Sequence, residues 1–178
     1  MRALLVLAIV AAPLHSAEIP RPAPELAWRA ANGLELRLDQ YRGKIVAIEF
    51  LLTTCPHCQR CSRIMQKLLE EYGPRGFQPL GIAINEMSHL LVEDYIKDLR
   101  LAFPVGFAAR ETALEFLQHS PILRLLMPQL VFIDRKGVIR AQYAGDDKFF
   151  LDEEKNMRAQ LELLLKEAHR AAERGPDK

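Results

Sequence analysis

The run from Lys44 to Leu52 is almost wholly apolar and rich in β-formers, and it leads directly into Thr53-Thr54-Cys55-Pro56-His57-Cys58. A strand that is apolar on both faces belongs in the middle of a sheet covered on both sides. From Pro56 the period changes. Cys58, Cys61, Met65, Leu68 and Tyr72 recur at spacings of three and four, which is one face of a helix. The chain is thereby committed to a central strand, a tight turn carrying cysteines, and a helix packed back against the strand. Cys55 falls at the first turn of that helix, where unpaired N–H groups and the helix dipole favour an anion such as a thiolate. Gly73-Pro74 closes the helix.

Glu49 interrupts the apolar run. A buried carboxylate without a partner is costly and tends to take up a proton. It reads either as a strand-end side chain that reaches solvent or as a buried acid placed for proton transfer.

The cysteines are Cys55, Cys58 and Cys61, all in one cluster. Cysteines this close cannot close a large loop, so stapling is a weak role for them. Two cysteines separated by two residues at a strand-to-helix junction can meet within disulfide distance. Cys55, at the exposed helix start, then reads as the attacking sulfur, and Cys58, one turn in, as the resolving thiol. His57 between them can favour a thiolate through its ring or its cation. Cys61 reads as a buried small hydrophobe, an alternative partner for Cys58, or a third metal thiolate. A ferredoxin-like cluster run would need a fourth cysteine where Met65 stands. His89, His119 and His169 lack ligand spacing and read as surface residues.

The chain has 178 residues, which suits one domain, and 49% are hydrophobic, enough for a sizeable core. The formal charge of +1, with both signs interspersed, gives no electrostatic case for nucleic acid or an anionic membrane surface. The start reads as a secretory signal: Arg2, an apolar Ala3-to-Pro13 stretch too short to span a bilayer, and small residues at Ser16-Ala17. Residues 1–17 are the expected signal peptide and residues 18–178 the mature domain, exported to the periplasm or secreted. An uncleaved N-terminal anchor is the alternative. In an exported protein a lone Cys-x-x-Cys points to redox chemistry or a metal.

Along the rest of the chain, Ile19 to Pro24 reads as an extended lead-in. Asn32-Gly33 joins two hairpin arms, Glu25 to Ala30 and Leu34 to Leu38, the second covered on its leucine face. Asp39 to Gly43 reads as a turn with Asp39 as cap. A strand over Leu80 to Asn85, helices over Ser88 to Leu101 and Arg110 to Gln118, and a hairpin of Leu130 to Asp134 with Val138 to Tyr143 follow. A final helix starts near Asp152, with Met157, Leu161, Leu164, Leu165 and Ala168 as its buried stripe, and stops at Gly175-Pro176. This order describes an α/β sandwich around a central mixed sheet.

A strand, Cys-x-x-Cys, a helix and a late proline before a β-hairpin resemble the thioredoxin fold. Glu49 lies six residues before Cys55, where thioredoxin-like proteins carry a buried acid. "AIEFLLTTCPHC" is similar to the active-site stretch of DsbA-type oxidants. "LELRLDQYRGKIVAIEF", "LAFPVGF" and "MPQLVFIDRKGVIRAQYAG" resemble the N-terminal hairpin, the inserted helix–strand element and the cis-proline hairpin of TlpA/ResA-type redoxins, relatives of the AhpC/TSA peroxidases. Thr54 replaces their usual tryptophan, and Met127 stands where Thr, Val or Ile is usual before the proline. The resemblance implies a three-layer thioredoxin-like sandwich and a thiol:disulfide oxidoreductase acting on protein cysteines. It implies Glu49 as the proton acceptor and donor for Cys58, and Pro56 and His57 as tuners of the Cys55 thiolate. It further implies a cis Pro128 that, with Met127, offers backbone to an extended peptide. A membrane thiol-relay partner is implied, and no cofactor or metal. The Pro-His dipeptide implies an oxidant and the scaffold a reductase, so the direction stays open among oxidant, isomerase and reductase.

Two other functions compete. An antioxidant peroxidase of the AhpC/TSA type would need Pro-x-x-x-Thr-x-x-Cys, but Ile48 and Leu52 occupy the Pro and Thr positions. A metal carrier would use Cys55, Cys58 and Cys61 and would purify with stoichiometric copper or zinc.

Overall fold

The computed structural model describes residues 17–173. The expected signal peptide, apart from Ala17, and the expected stop at Gly175-Pro176 lie outside the described residues. The strands are β1 (Arg21–Pro22), β2 (Ala27–Ala30), β3 (Glu35–Arg37), β4 (Ile45–Leu51), β5 (Phe77–Ala83), β6 (Val105–Phe107), β7 (Gln129–Ile133) and β8 (Val138–Tyr143). The helices are α1 (Pro56–Tyr72), α2 (Ser88–Leu99), α3 (Arg110–Leu117) and α4 (Glu153–Glu173). Among the described residues the strands form one sheet in the order β1-β8-β7-β4-β5-β6-β2-β3.

The apolar run becomes β4, and all seven of its residues are buried. It pairs in parallel with β5 and antiparallel with β7, so the sheet is mixed. Side chains of a strand alternate between faces. Ile45, Ala47 and Leu51 join a core with Met65 and Leu68 of α1, Val92 of α2 and Leu161 of α4. Val46, Ile48 and Phe50 join a second core with Phe116 and Leu117 of α3, where the Phe50 and Phe116 rings lie 5.7 Å apart. Three layers follow: α1, α2 and α4, then the sheet, then α3. This is a thioredoxin-like sandwich. Glu49 shares the parity of Ala47 and Leu51, so it points under α1.

Several boundaries differ from expectation. β5 starts at Phe77, three residues early, and holds Pro79 inside it. N–H groups two residues apart point the same way, and that of Gly81 donates to Pro104 at 3.0 Å. The Pro79 nitrogen therefore points toward a side where β6 has not yet begun, and no ladder bond is lost. The turn after β3 is a 3-10 turn over Leu38–Tyr41 capped at Arg37, not Asp39. The Arg37 N–H donates to Gln40 Oε1 at 3.0 Å, and Asp39 pairs with the Arg37 guanidinium. Leu34 is exposed rather than covered, because the hairpin lies at the sheet edge and Leu34 precedes the pairing. The extended lead-in adds β1 to β8. α2 and α3 end one or two residues early because Arg100 and Gln118 take left-handed φ of 53° and 52°. Ala168 is only half-buried.

The N-terminal hairpin joins the sheet through β2 and β6, with Ala30 opposite Gly106. A Cβ at Gly106 would lie 2.2 Å from the Arg29 carbonyl oxygen and 2.7 Å from Trp28 Cδ1. Gly106→Ala must push the hairpin off β6, and it is expected to cost about 1–3 kcal/mol of stability. The urea midpoint measures this; an unchanged midpoint would contradict the close approach.

Candidate active site

β4 ends at Leu51 and α1 starts at Pro56, so only four residues turn the chain from sheet to helix. Asn85, just past β5, holds this turn from the side. Its Oδ1 accepts the Thr53 N–H at 3.0 Å, and its Nδ2 donates to Thr53 Oγ1 at 3.2 Å. Gln59 Nε2 donates to the Thr53 carbonyl at 3.0 Å. Cys55 is thereby set as the N-cap of α1, with Pro56 at the first helical position, where its missing N–H is no loss. Cys55 is half-buried, and its sulfur accepts the Cys58 N–H at 3.4 Å. Cys58 is fully buried one turn into the helix. Burial first, then the nearby Glu49 charge, push the Cys58 thiol well above its ordinary range. No disulfide bond joins any two of the three cysteines in this structure.

Under α1 lies a polar cluster drawn from four elements. Glu49 is fully buried. Its Oε2 accepts from Ser62 Oγ at 2.6 Å, and Ser62 Oγ lies 2.8 Å from the Tyr95 hydroxyl of α2. Its Oε1 is buried without a hydrogen-bond partner among the described residues. Burial holds the Glu49 carboxyl well above the usual carboxylate range; the Ser62 bond opposes that shift and the Glu153 charge adds to it. Cys61 is fully buried beside both acids, and burial and the two carboxylates push its thiol up. Glu153, in the first turn of α4, is 5% exposed and takes a 3.0 Å ion pair from Arg60 Nε. Among the described residues no group of three His, Cys, Asp or Glu side chains is arranged to hold a metal.

The peptide bond between Met127 and Pro128 is cis. β7 begins opposite Phe50, so this peptide lies at the same end of the sheet as the Cys55 turn. Gly145 packs on the Met127 backbone, where a Cβ would come within 2.2 Å of the Met127 carbonyl oxygen. His57 sits edge-on to Phe150 at 4.8 Å, and its burial lowers its pKa, so the ring is neutral at neutral pH. His89 and His169 are exposed; His119 is half-buried, with Nδ1 2.9 Å from the Ser120 carbonyl oxygen.

The profile of the AhpC/TSA family matches residues 19–142. The chain belongs to the AhpC/TSA family. It is 28% identical over 123 residues to the thiol-disulfide oxidoreductase ResA of Geobacillus kaustophilus, covering 69% of this chain and 67% of that one. It is 33% identical over 114 residues to ResA of Halalkalibacterium halodurans, covering 64% and 61%. A crystal structure of a thiol:disulfide interchange protein of the thioredoxin family from Chlorobium tepidum aligns with a TM-score of 0.67 at 24% identity, covering 84% of this chain and 99% of that one. This AhpC/TSA-family chain is an oxidoreductase with a thioredoxin-like fold.

Ser62, Tyr95, Asn85, Glu153 and Phe150 of this AhpC/TSA-family protein were not expected at the site. A serine on the buried arc of α1 was the one available signal, since Ser62 lies four residues after Cys58. The raised Glu49 pKa has a consequence for stability. The folded state binds a proton that the unfolded state releases near pH 4.5. The stabilisation is therefore complete below that pH and is lost as pH rises through the folded-state value. Glu49→Gln lacks this loss. Its stability relative to the native sequence is expected to be greater at pH 8 than at pH 5 in urea melts; a difference independent of pH would contradict the buried acid.

Proposed function

We propose that this chain is an exported thiol:disulfide oxidoreductase that exchanges disulfides with protein cysteines through Cys55 and Cys58. The observation that carries this is the pairing of a half-buried Cys55 at the helix cap, accepting the Cys58 N–H, with a fully buried Cys58 behind it. Exchange needs one accessible thiolate to attack and a second thiol to resolve the mixed disulfide. The helix start favours negative charge on Cys55. Cys58 resists ionisation where it lies, so it needs a base when it attacks and an acid when it leaves. Glu49 fills both roles: burial holds its own carboxyl protonated, ready to give a proton to Cys58 as that sulfur leaves, and its carboxylate charge disfavours ionisation of Cys58, whose proton it accepts as that sulfur attacks.

Pro56 fixes the helix start, and His57 borders Cys55 as a neutral ring against Phe150. Met127 and Pro128 offer main chain to an extended client peptide at the mouth of the site. Residues 18–178 act as one domain. Export is supported by Arg2, the apolar Ala3-to-Pro13 stretch and Ser16-Ala17. A membrane thiol-relay protein is the partner that the family resemblance suggests. The peroxidase reading shares the family but lacks its proline and threonine, with Ile48 and Leu52 inside or beside β4 in their place.

Cys55→Ser is expected to abolish both insulin reduction and oxidation of a reduced client, and full retained activity would refute the assignment. Cys58→Ser should accumulate client mixed disulfides on non-reducing gels. Glu49→Gln should slow exchange by roughly one to two orders of magnitude with an unchanged circular dichroism spectrum.

A further inference from the structure

The Glu49 carboxyl is sealed from water, yet its proposed role requires it to lose and regain a proton in each cycle. When a client is disulfide-bonded to Cys55, the client itself covers the cysteine side of the site. A second route for the proton is needed, and the polar cluster under α1 contains one. Ser62 Oγ lies 2.6 Å from Glu49 Oε2 and 2.8 Å from the Tyr95 hydroxyl. Ser62 is fully buried, whereas Tyr95 lines a cleft of about 310 Å³ between α1 and α2. Thr53, Gln59, Arg63, Asp94 and Asp98 also line that cleft, which gives it a polar wall open to solvent.

We propose that Ser62 and Tyr95 form a proton conduit between Glu49 and the α1–α2 cleft, reloading the buried acid by a path that avoids the cysteines. This rests on the exchange reading above. When an incoming thiolate attacks Cys55, the new S–S bond forms and the Cys55–Cys58 bond breaks, leaving its electron pair on Cys58. Cys58 takes the Glu49 proton. Ser62 then donates its hydroxyl proton to Glu49, Tyr95 donates to Ser62, and an acid in the cleft water donates to Tyr95. When Cys58 attacks instead, every transfer runs backward and the proton leaves through the cleft. No proton is created or lost within the chain, and the client supplies the oxidising or reducing equivalents.

The chemistry of each link suits the task. A hydroxyl both donates and accepts, so it passes a proton without holding a charge. Burial first, and then the charge on Glu49, keep the Tyr95 phenol protonated and available as a donor. The other titratable groups facing Glu49 are Cys55, Cys58 and Cys61 at the start of α1 and Glu153 from α4. None of them lines the cleft. Arg63, Asp94 and Asp98 border the outer end.

The test uses the mature chain and follows resolution of a client mixed disulfide by stopped flow from pH 5 to 9, in H2O and D2O. Tyr95→Phe and Ser62→Ala should each slow it about three- to tenfold, with a larger solvent isotope effect. Combined with Glu49→Gln, neither should cost anything further. Ser62→Ala should also raise the pH at which the infrared band of the protonated Glu49 carboxyl disappears, because it removes a donor to the carboxylate. Losses that add to Glu49→Gln, or an unchanged rate and infrared midpoint in both variants, would overturn the conduit. Should Tyr95→Phe not fold, Ser62→Ala alone decides. Cys55→Ser separates the two claims: activity in that variant refutes the exchange reading, whereas its inactivity beside unaffected Ser62 and Tyr95 variants refutes only the conduit.

Discussion

The carboxyl of Glu49, shut under α1 beside the sulfurs of Cys58 and Cys61, is the interaction on which the rest of this structure turns. A carboxylate in an apolar core is costly, and the fold meets that cost by holding the proton and supplying one strong donor, Ser62, at 2.6 Å. The same burial that raises Glu49 also raises Cys58, so an acid and a thiol of unusually high pKa share one small volume. Groups displaced this far from ordinary values concentrate where protons are moved.

The geometry that makes this arrangement possible is the junction between β4 and α1. Strand parity aims Glu49 at the helix, and helical period aims Cys58, Cys61 and Ser62 back at Glu49. Cys55 is left at the rim because it is the N-cap, outside the buried arc. One sulfur is thus partly exposed and the other sealed through backbone geometry. The clamp of Asn85 on Thr53 makes the turn stiff enough to keep them so.

Most of the frame was legible in the sequence because it is written in local periodicity. β4 and α1 lie where the apolar run and the three-four spacing put them, and α1 matches its expected limits from Pro56 to Tyr72. What was not legible depends on elements meeting in space. Nothing in the sequence singles out Tyr95 until the sheet sets α2 against α1. Nothing in the sequence marks Glu153 as part of the site until α4 folds onto Arg60 and Cys61. Pro79 looked like a strand start because a proline is excluded from paired strands, and only the short reach of β6 makes an interior place for it. β1 pairs through two residues, too few to leave a pattern.

The division of labour among three cysteines is the central claim, and disulfide mapping tests it most directly. The reduced chain would be oxidised under mild conditions, the remaining thiol alkylated, and the Thr53–Arg63 region sequenced by tandem mass spectrometry. A bond between Cys55 and Cys58 with the label on Cys61 alone is the expected result. A label on Cys55, with the bond joining Cys58 to Cys61, would contradict it.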